Sequence, residues 1–133
     1  MQSNTIKKSR YIFGSVFFVV LLLVIDRIFY NVATINDQFI FGLVGNNLTA
    51  ILISVFLLLL ISFLIIKNSS KHYFAFSLLS AGVISNSIER VIYGGVVDYI
   101  NILFIPTFNL ADILIIVSLV LLMLSIANKK ISQ

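Results

Sequence analysis

Long uninterrupted apolar stretches alternate with short polar segments along this chain. They cover residues 11–28, 48–66, 73–91 and 108–127, each near the roughly 20 residues that a helix needs to cross about 30 Å of hydrocarbon. The pattern predicts four transmembrane helices and an all-α membrane protein. The third run is the most polar, with Ser77, Ser80, Ser85, Asn86 and Ser87 inside it. A β-barrel would require segments of about ten residues with strict alternation, and these runs do not alternate. Little sequence remains between them for a water-exposed domain, so a single integral membrane domain is expected over 1–133.

Charge placement adds an orientation. Lys7, Lys8 and Arg10 precede the first run, Lys67 and Lys71 lie between the second and third, and Lys129 and Lys130 follow the fourth. An even number of spans puts all of them on one face, which the positive-inside rule assigns to the cytoplasm, with both termini there. The five acids (Asp26, Asp37, Glu89, Asp98, Asp112) then fall at or near the opposite face, with Arg27 and Arg90. The net charge of +4 thus reflects topology and does not argue for a nucleic-acid partner.

Composition agrees. Apolar residues make up 60% of the chain and charged residues only 11%, against about a quarter charged in soluble domains. Mean hydropathy is +1.13. A soluble monomer would lack polar cover, and a disordered chain would be far less apolar. The KKSR segment before the first run imitates a signal peptide, but the run leads into Asp26-Arg27 without a small-residue cleavage site, so a retained span is expected. With no cysteine, disulfides and thiolate chemistry are excluded.

Polar groups at membrane depth are costly, and their positions are informative. They gather at the outer ends of the runs: Asp26, Asn36, Asn86, Glu89, Arg90, Asp98, Asn109 and Asp112. The one histidine, His72, sits on the other side, which removes zinc-protease and Ser-His-Asp chemistry. A Ser-Lys dyad fails because every lysine is expected on the inner face. No phosphate-binding glycine pattern is present; Gly94-Gly95 reads as a turn. No metal site and no cofactor are expected.

A pair of carboxylates remains. Asp98 and Asp112 stand at the two ends of the loop joining the third and fourth runs, where a return to the same face can bring them together. Two carboxyls in one poorly solvated site share a proton, giving a base for water and an acid for a carbonyl oxygen. Helical spacing puts Asn86 and Arg90 on one face, and Asn109 and Asp112 on another. Spacing alone leaves open the alternative that these are interfacial anchors and helix-cap contacts.

The stretch S-N-S-I-E-R-V-I-Y-G-G-V-V-D-Y at residues 85–99, followed by F-N-L-A-D at 108–112, resembles the two downstream motifs of signal peptidase II, the bacterial lipoprotein signal peptidase family. Asn36-Asp37-Gln38-Phe39-Ile40-Phe41-Gly42 partly matches an upstream motif of that family, and Asp26 sits where it carries an aspartate. The resemblance implies catalytic Asp98 and Asp112, with Asn86, Arg90, Asn109, Ala111, Asn36, Asp26 and Glu89 lining or supporting the site. It implies a bacterial cytoplasmic (inner) membrane enzyme, multi-pass and blocked by globomycin-type cyclic peptides, with its site at the extracytoplasmic face. The substrate class it implies is prolipoproteins cut before a diacylglyceryl-modified cysteine, handled by a monomer in contact with membrane lipid.

The chain departs from the family pattern in places. Glu89 replaces an Asp, Ser85 and Gln38 each replace a Gly, Ser118 lies where a Gly is common, and Tyr30 stands where a Lys is frequent. Only nine residues separate Asp26 from Asn36, so the small extracytoplasmic β element expected there is short. Two other classes compete with a peptidase: a non-catalytic lipopeptide-binding relative, motivated by that short segment, and a small transporter, motivated by membrane acids. The lack of an acid in the middle of any run argues against transport.

Overall fold

The computed structural model describes residues 2–37, 47–68 and 73–131. Among them four helices form: α1 (Gln2–Phe29), α2 (Asn47–Asn68), α3 (Tyr73–Tyr93) and α4 (Leu110–Ile131). Two three-residue strands, β1 (Thr34–Asn36) and β2 (Val96–Asp98), join them. Gln38 to Gly42 of the upstream motif, and His72, lie outside the described residues. The helices match the four expected runs and extend beyond most of their ends.

The segment Tyr11–Phe29 of α1 is long and apolar enough to cross a membrane; Asn47–Leu60 and Leu110–Ser125 are shorter apolar segments. The third predicted run is helical but more polar, because it forms the centre of the bundle. Helix α3 packs against α1, α4 and, less extensively, α2. Its buried face is built from small residues: Ala75, Ser77, Ser80, Ala81, Gly82 and Ser85. Such residues let helix backbones approach closely where lipid supplies little hydrophobic drive for association. At Gly82 a Cβ would lie 2.7 Å from the Ala111 carbonyl oxygen, so α4 crosses there. Two of the serine hydroxyls are satisfied within the helix, Ser77 donating to Phe74 O and Ser80 to Phe76 O, both at 2.7 Å, whereas the buried Ser85 Oγ has no hydrogen-bond partner among the described residues.

The outer faces are apolar and open. Phe13, Phe17 and Val20 on α1, Phe56 and Leu59 on α2, and Met123 and Leu124 on α4 are all exposed, as helices bordered by acyl chains would be. Inside, Leu22, Ala81 and Ala111 form one apolar cluster, flanked by Phe18, Leu110 and Leu114. Ala75, Leu79 and Leu122 form another. Above the first cluster α1 buries Asp26, one turn after Leu22.

Strand β1 runs antiparallel to β2 in the register Thr34↔Asp98, Ile35↔Val97, Asn36↔Val96. The expected short β element is therefore a two-strand ladder that ties the exit of α1 to the exit of α3. The Gly94-Gly95 turn makes this possible. Gly94 has φ +74°, and a Cβ on Gly95 would lie 2.8 Å from Asn36 O. A left-handed residue and a close backbone approach are two situations that favour glycine.

Candidate active site

The start of α4 is fixed by a reciprocal cap. Asn109 Oδ1 accepts the Asp112 N–H at 2.9 Å, and Asp112 Oδ2 accepts the Asn109 N–H at 3.2 Å. This is the capping-box arrangement, with the carboxylate in the first turn where the helix dipole favours negative charge. The cap reading and the site reading thus coincide in the same two residues. Asp112 Oδ1 is left to face α3, where Asn86 Nδ2 donates to it at 2.9 Å. Asn109 Nδ2 in turn donates to Asn86 Oδ1 at 3.0 Å. Asn86, Asn109 and Asp112 form one closed network.

Asp98 arrives from β2. Asn36 stands diagonally across the ladder on the same face, and its Nδ2 donates to Asp98 Oδ2 at 2.8 Å. Thr34 Oγ1 donates to the Asp98 carbonyl oxygen at 3.2 Å. Asp98 is 3% exposed, and its Oδ1 has no hydrogen-bond partner among the described residues. Burial pushes the Asp98 carboxyl up to about 6; the Asn36 hydrogen bond and the Arg90 charge oppose the rise, and the Asp112 charge adds to it. Asp98 therefore senses both Asp112 and Arg90 electrostatically.

A buried layer supports the ladder. Glu89 Oε2 accepts the Val97 N–H at 2.9 Å, one residue before Asp98. Asp26, 1% exposed, lies within electrostatic reach of Glu89 and Tyr99, although neither of its oxygens attains hydrogen-bonding geometry among the described residues. The Tyr99 hydroxyl accepts the Leu110 N–H at 3.3 Å and so covers another free donor of α4. Its ring stacks on Phe29 with centroids 4.7 Å apart. Burial, helped by the Asp26 charge, raises the Tyr99 hydroxyl above its usual range, which keeps it neutral.

The remaining expected residues fall into two settings. Arg90 Nη1 donates to Asn47 Oδ1 at 2.9 Å, and Asn47 Nδ2 donates to the Gly94 carbonyl oxygen. Ala111 is fully buried between Leu22 and Ala81, so it seats α4 by packing. Among the described residues no group of three or more His, Cys, Asp or Glu side chains comes together as a metal site would require.

Sequence reasoning passed over Asn47, Thr34 and Tyr99. Asn47 had a visible signal, since an asparagine just ahead of an apolar run marks a helix start. Thr34 and Tyr99 acquire their roles only through pairing and stacking between distant segments.

The family model for signal peptidase (SPase) II matches residues 4–128. The chain belongs to the signal peptidase II family. A lipoprotein signal peptidase of Caldicellulosiruptor bescii is 43% identical over 72 residues, covering 53% of this chain and 48% of that protein. One from Wigglesworthia glossinidia brevipalpis is 38% identical over 88 residues, covering 61% and 54%. The matched stretch is therefore about half the length of these relatives. A Staphylococcus aureus lipoprotein signal peptidase matches more broadly, at 30% identity over 71% of this chain and 66% of that one.

Two solved bacterial membrane enzymes share the fold of this signal peptidase II family member. One superposes with a TM-score of 0.78 at 24% identity, covering 92% of this chain and 90% of that one. The other gives 0.72 at 25% identity, covering 89% and 92%. Family and fold agree: the chain is a signal peptidase II family member with the fold of solved bacterial membrane enzymes.

Proposed function

We propose that the protein is an aspartic endopeptidase of the bacterial inner membrane, spanning it four times with both termini in the cytoplasm. It removes signal peptides from lipid-modified prolipoproteins, cutting before the diacylglyceryl-cysteine at the extracytoplasmic face. Asp98 and Asp112 act as a pair. The observation that carries this reading is the state of Asp98: one oxygen is held by Asn36, the other is buried and unpartnered, and the charge of Asp112 is felt at its carboxyl.

Two carboxyls so disposed hold one proton between them at neutral pH. The ionised member takes a proton from water as the water oxygen attacks the scissile carbonyl carbon. The protonated member gives its proton to the carbonyl oxygen, and a tetrahedral diol results. As the diol collapses, the carboxyl that took the water proton gives it to the leaving nitrogen, the other carboxylate takes a proton from a diol hydroxyl, and the C–N bond breaks, leaving the pair again with a single shared proton. Asn36 and Asn86 each donate an amide N–H to one oxygen of one carboxyl, which fixes its rotation without supplying a compensating charge. Arg90 adds the nearby positive charge that keeps one member ionised.

Cleavage of a lipidated precursor by purified Asp98→Asn and Asp112→Asn variants tests the reading. Each variant is expected to lose roughly 10²- to 10⁴-fold in rate, the usual contribution of a positioned acid or base, while still inserting in the membrane. Full activity in either variant would reject the pair. Intact lipopeptide binding by a wild-type protein that does not turn over would favour a non-catalytic relative.

A further inference from the structure

Residues 99–108 leave Asp98 and return to Asn109 as a hairpin whose tip is unusual. Ile100 and Phe108 pair in an antiparallel bridge, Ile100 N donating to Phe108 O at 2.9 Å and Phe108 N to Ile100 O at 3.1 Å. Ile105 N donates to Ile102 O at 3.0 Å, which closes a four-residue turn. Phe104, third in that turn, has φ +72°. A tight turn of this kind ordinarily places glycine or asparagine there, and its other positions are polar. Here all four residues are large and apolar, and all are exposed, Leu103 at 82% and Phe104 completely. No residue from 99 to 108 is charged.

The surroundings identify what covers this tip. Tyr99, at the hairpin base, stacks on Phe29, the last residue of the segment Tyr11–Phe29 that is long and apolar enough to cross a membrane. Phe108, on the other arm, is followed within two residues by the apolar segment Leu110–Ser125. The base therefore lies at the depth where the apolar helices end. With short arms, at about 3.3 Å per residue the tip stays within about 13 Å of that boundary. Val91 and Ile92, in the last turns of α3, continue the exposed apolar surface at this end.

We propose that the hairpin tip, residues 102–105, inserts into the lipid leaflet on the side of Asp98, at the boundary of headgroups and acyl chains. The hairpin is the direct covalent link between the strand bearing Asp98 and the cap bearing Asp112. Seating its tip in the leaflet sets the depth of both carboxyls relative to the bilayer surface. Apolar side chains gain by leaving water at such a boundary, and the uncharged backbone loop brings no ion with it. This inference rests on membership of a membrane-enzyme family and not on the chemistry proposed for the two aspartates.

The chain contains no tryptophan, so Leu103→Trp and, separately, Phe104→Trp each install a single reporter. The full-length variants are reconstituted as one copy per nanodisc of phosphatidylethanolamine and phosphatidylglycerol, without peptide substrate. The expected result is emission blue-shifted from that of free N-acetyltryptophanamide. Bilayers carrying lipids brominated near the top of the acyl chain are expected to quench it at least roughly twofold, and aqueous iodide only weakly. Iodide quenching equal to that of the free amide, with no effect of the brominated lipids, would overturn the proposal. Protection that arises only on adding a lipidated peptide would overturn it in favour of a substrate contact. Protection that arises only with two copies per disc would overturn it in favour of self-association. Circular dichroism of each variant checks that the bundle is intact, and agreement between the two positions guards against a local effect of either substitution.

Discussion

Glu89 Oε2 accepts the Val97 N–H at 2.9 Å, so the last full turn of α3 grips the strand that presents Asp98. Glu89 is 1% exposed and Val97 is fully buried, so this tie between helix and strand is shielded from water. Glu89→Gln keeps a side-chain oxygen for the N–H and is expected to process precursor at close to the wild-type rate. Glu89→Leu strands a buried donor at a cost of about 1–3 kcal/mol. The shift of Asp98 that follows is expected to slow processing by roughly 10- to 100-fold. Thermal denaturation and kcat/KM of the two variants separate these outcomes.

The Asn36 contact predicts a pH effect. Asp98 lies near 6 with this hydrogen bond favouring its ionised form. On the paired mechanism proposed above, protonating Asp98 removes the base, so activity should fall on the acid side of about 6. Asn36→Ala removes the favouring bond and is expected to move the acid limb of kcat/KM to higher pH. A limb that stays in place would show that Asp98 does not govern it.

The same burial has a stability consequence. A carboxyl raised from 3.8 to about 6 binds more protons folded than unfolded between those values, so stability falls as pH rises through that window. The wild-type protein should therefore melt at a higher temperature at pH ~5 than at pH ~7. Asp98→Asn, which has no charge to bury at this position, should narrow that difference.

Asn109 does two jobs that substitutions can separate. Its Oδ1 caps α4, and its Nδ2 holds Asn86. Asn109→Ser preserves a capping oxygen, so the melting temperature should change little while cleavage falls because Asn86 is released. Asn109→Ala loses both and should destabilise by about 1 kcal/mol more. Equal activity of wild type and the Ser variant would show that the Asn86 contact is dispensable.

Gly95→Ala tests the ladder itself. The added Cβ meets Asn36 O at 2.8 Å and Ile35 Cγ2 at the same distance, and the backbone oxygen cannot move aside independently of β1. Displacement of β1 should weaken the Asn36–Asp98 bond, lowering processing while the helical content by circular dichroism stays unchanged. Faster amide exchange at the strand residues would locate the damage.

Much of this protein is legible along the chain. Apolar run lengths gave the four helices, because hydrocarbon thickness converts directly into residue number. Gly94-Gly95 read correctly as a turn, since the left-handed φ of Gly94 is a local property. Asn109 and Asp112 announced a helix start three residues apart, and the cap is as local as the turn. The motifs around Asn86, Asp98 and Asp112 identified the family.

Other features depended on segments far apart in sequence. Nothing near Asn36 says that it will sit diagonally opposite Asp98; that follows from the register of two strands sixty residues apart. The polar third run looked like one span among four, whereas its small and polar residues reflect its place at the centre of the bundle. Glu89 gave no local sign of holding Val97, nor Tyr99 of stacking on Phe29 while covering the start of α4. Local steric preference and the solvent's demand on apolar surface are written residue by residue. The rotation of a buried carboxyl is set by which neighbour donates to it, and only the packed helices and paired strands bring that neighbour within reach.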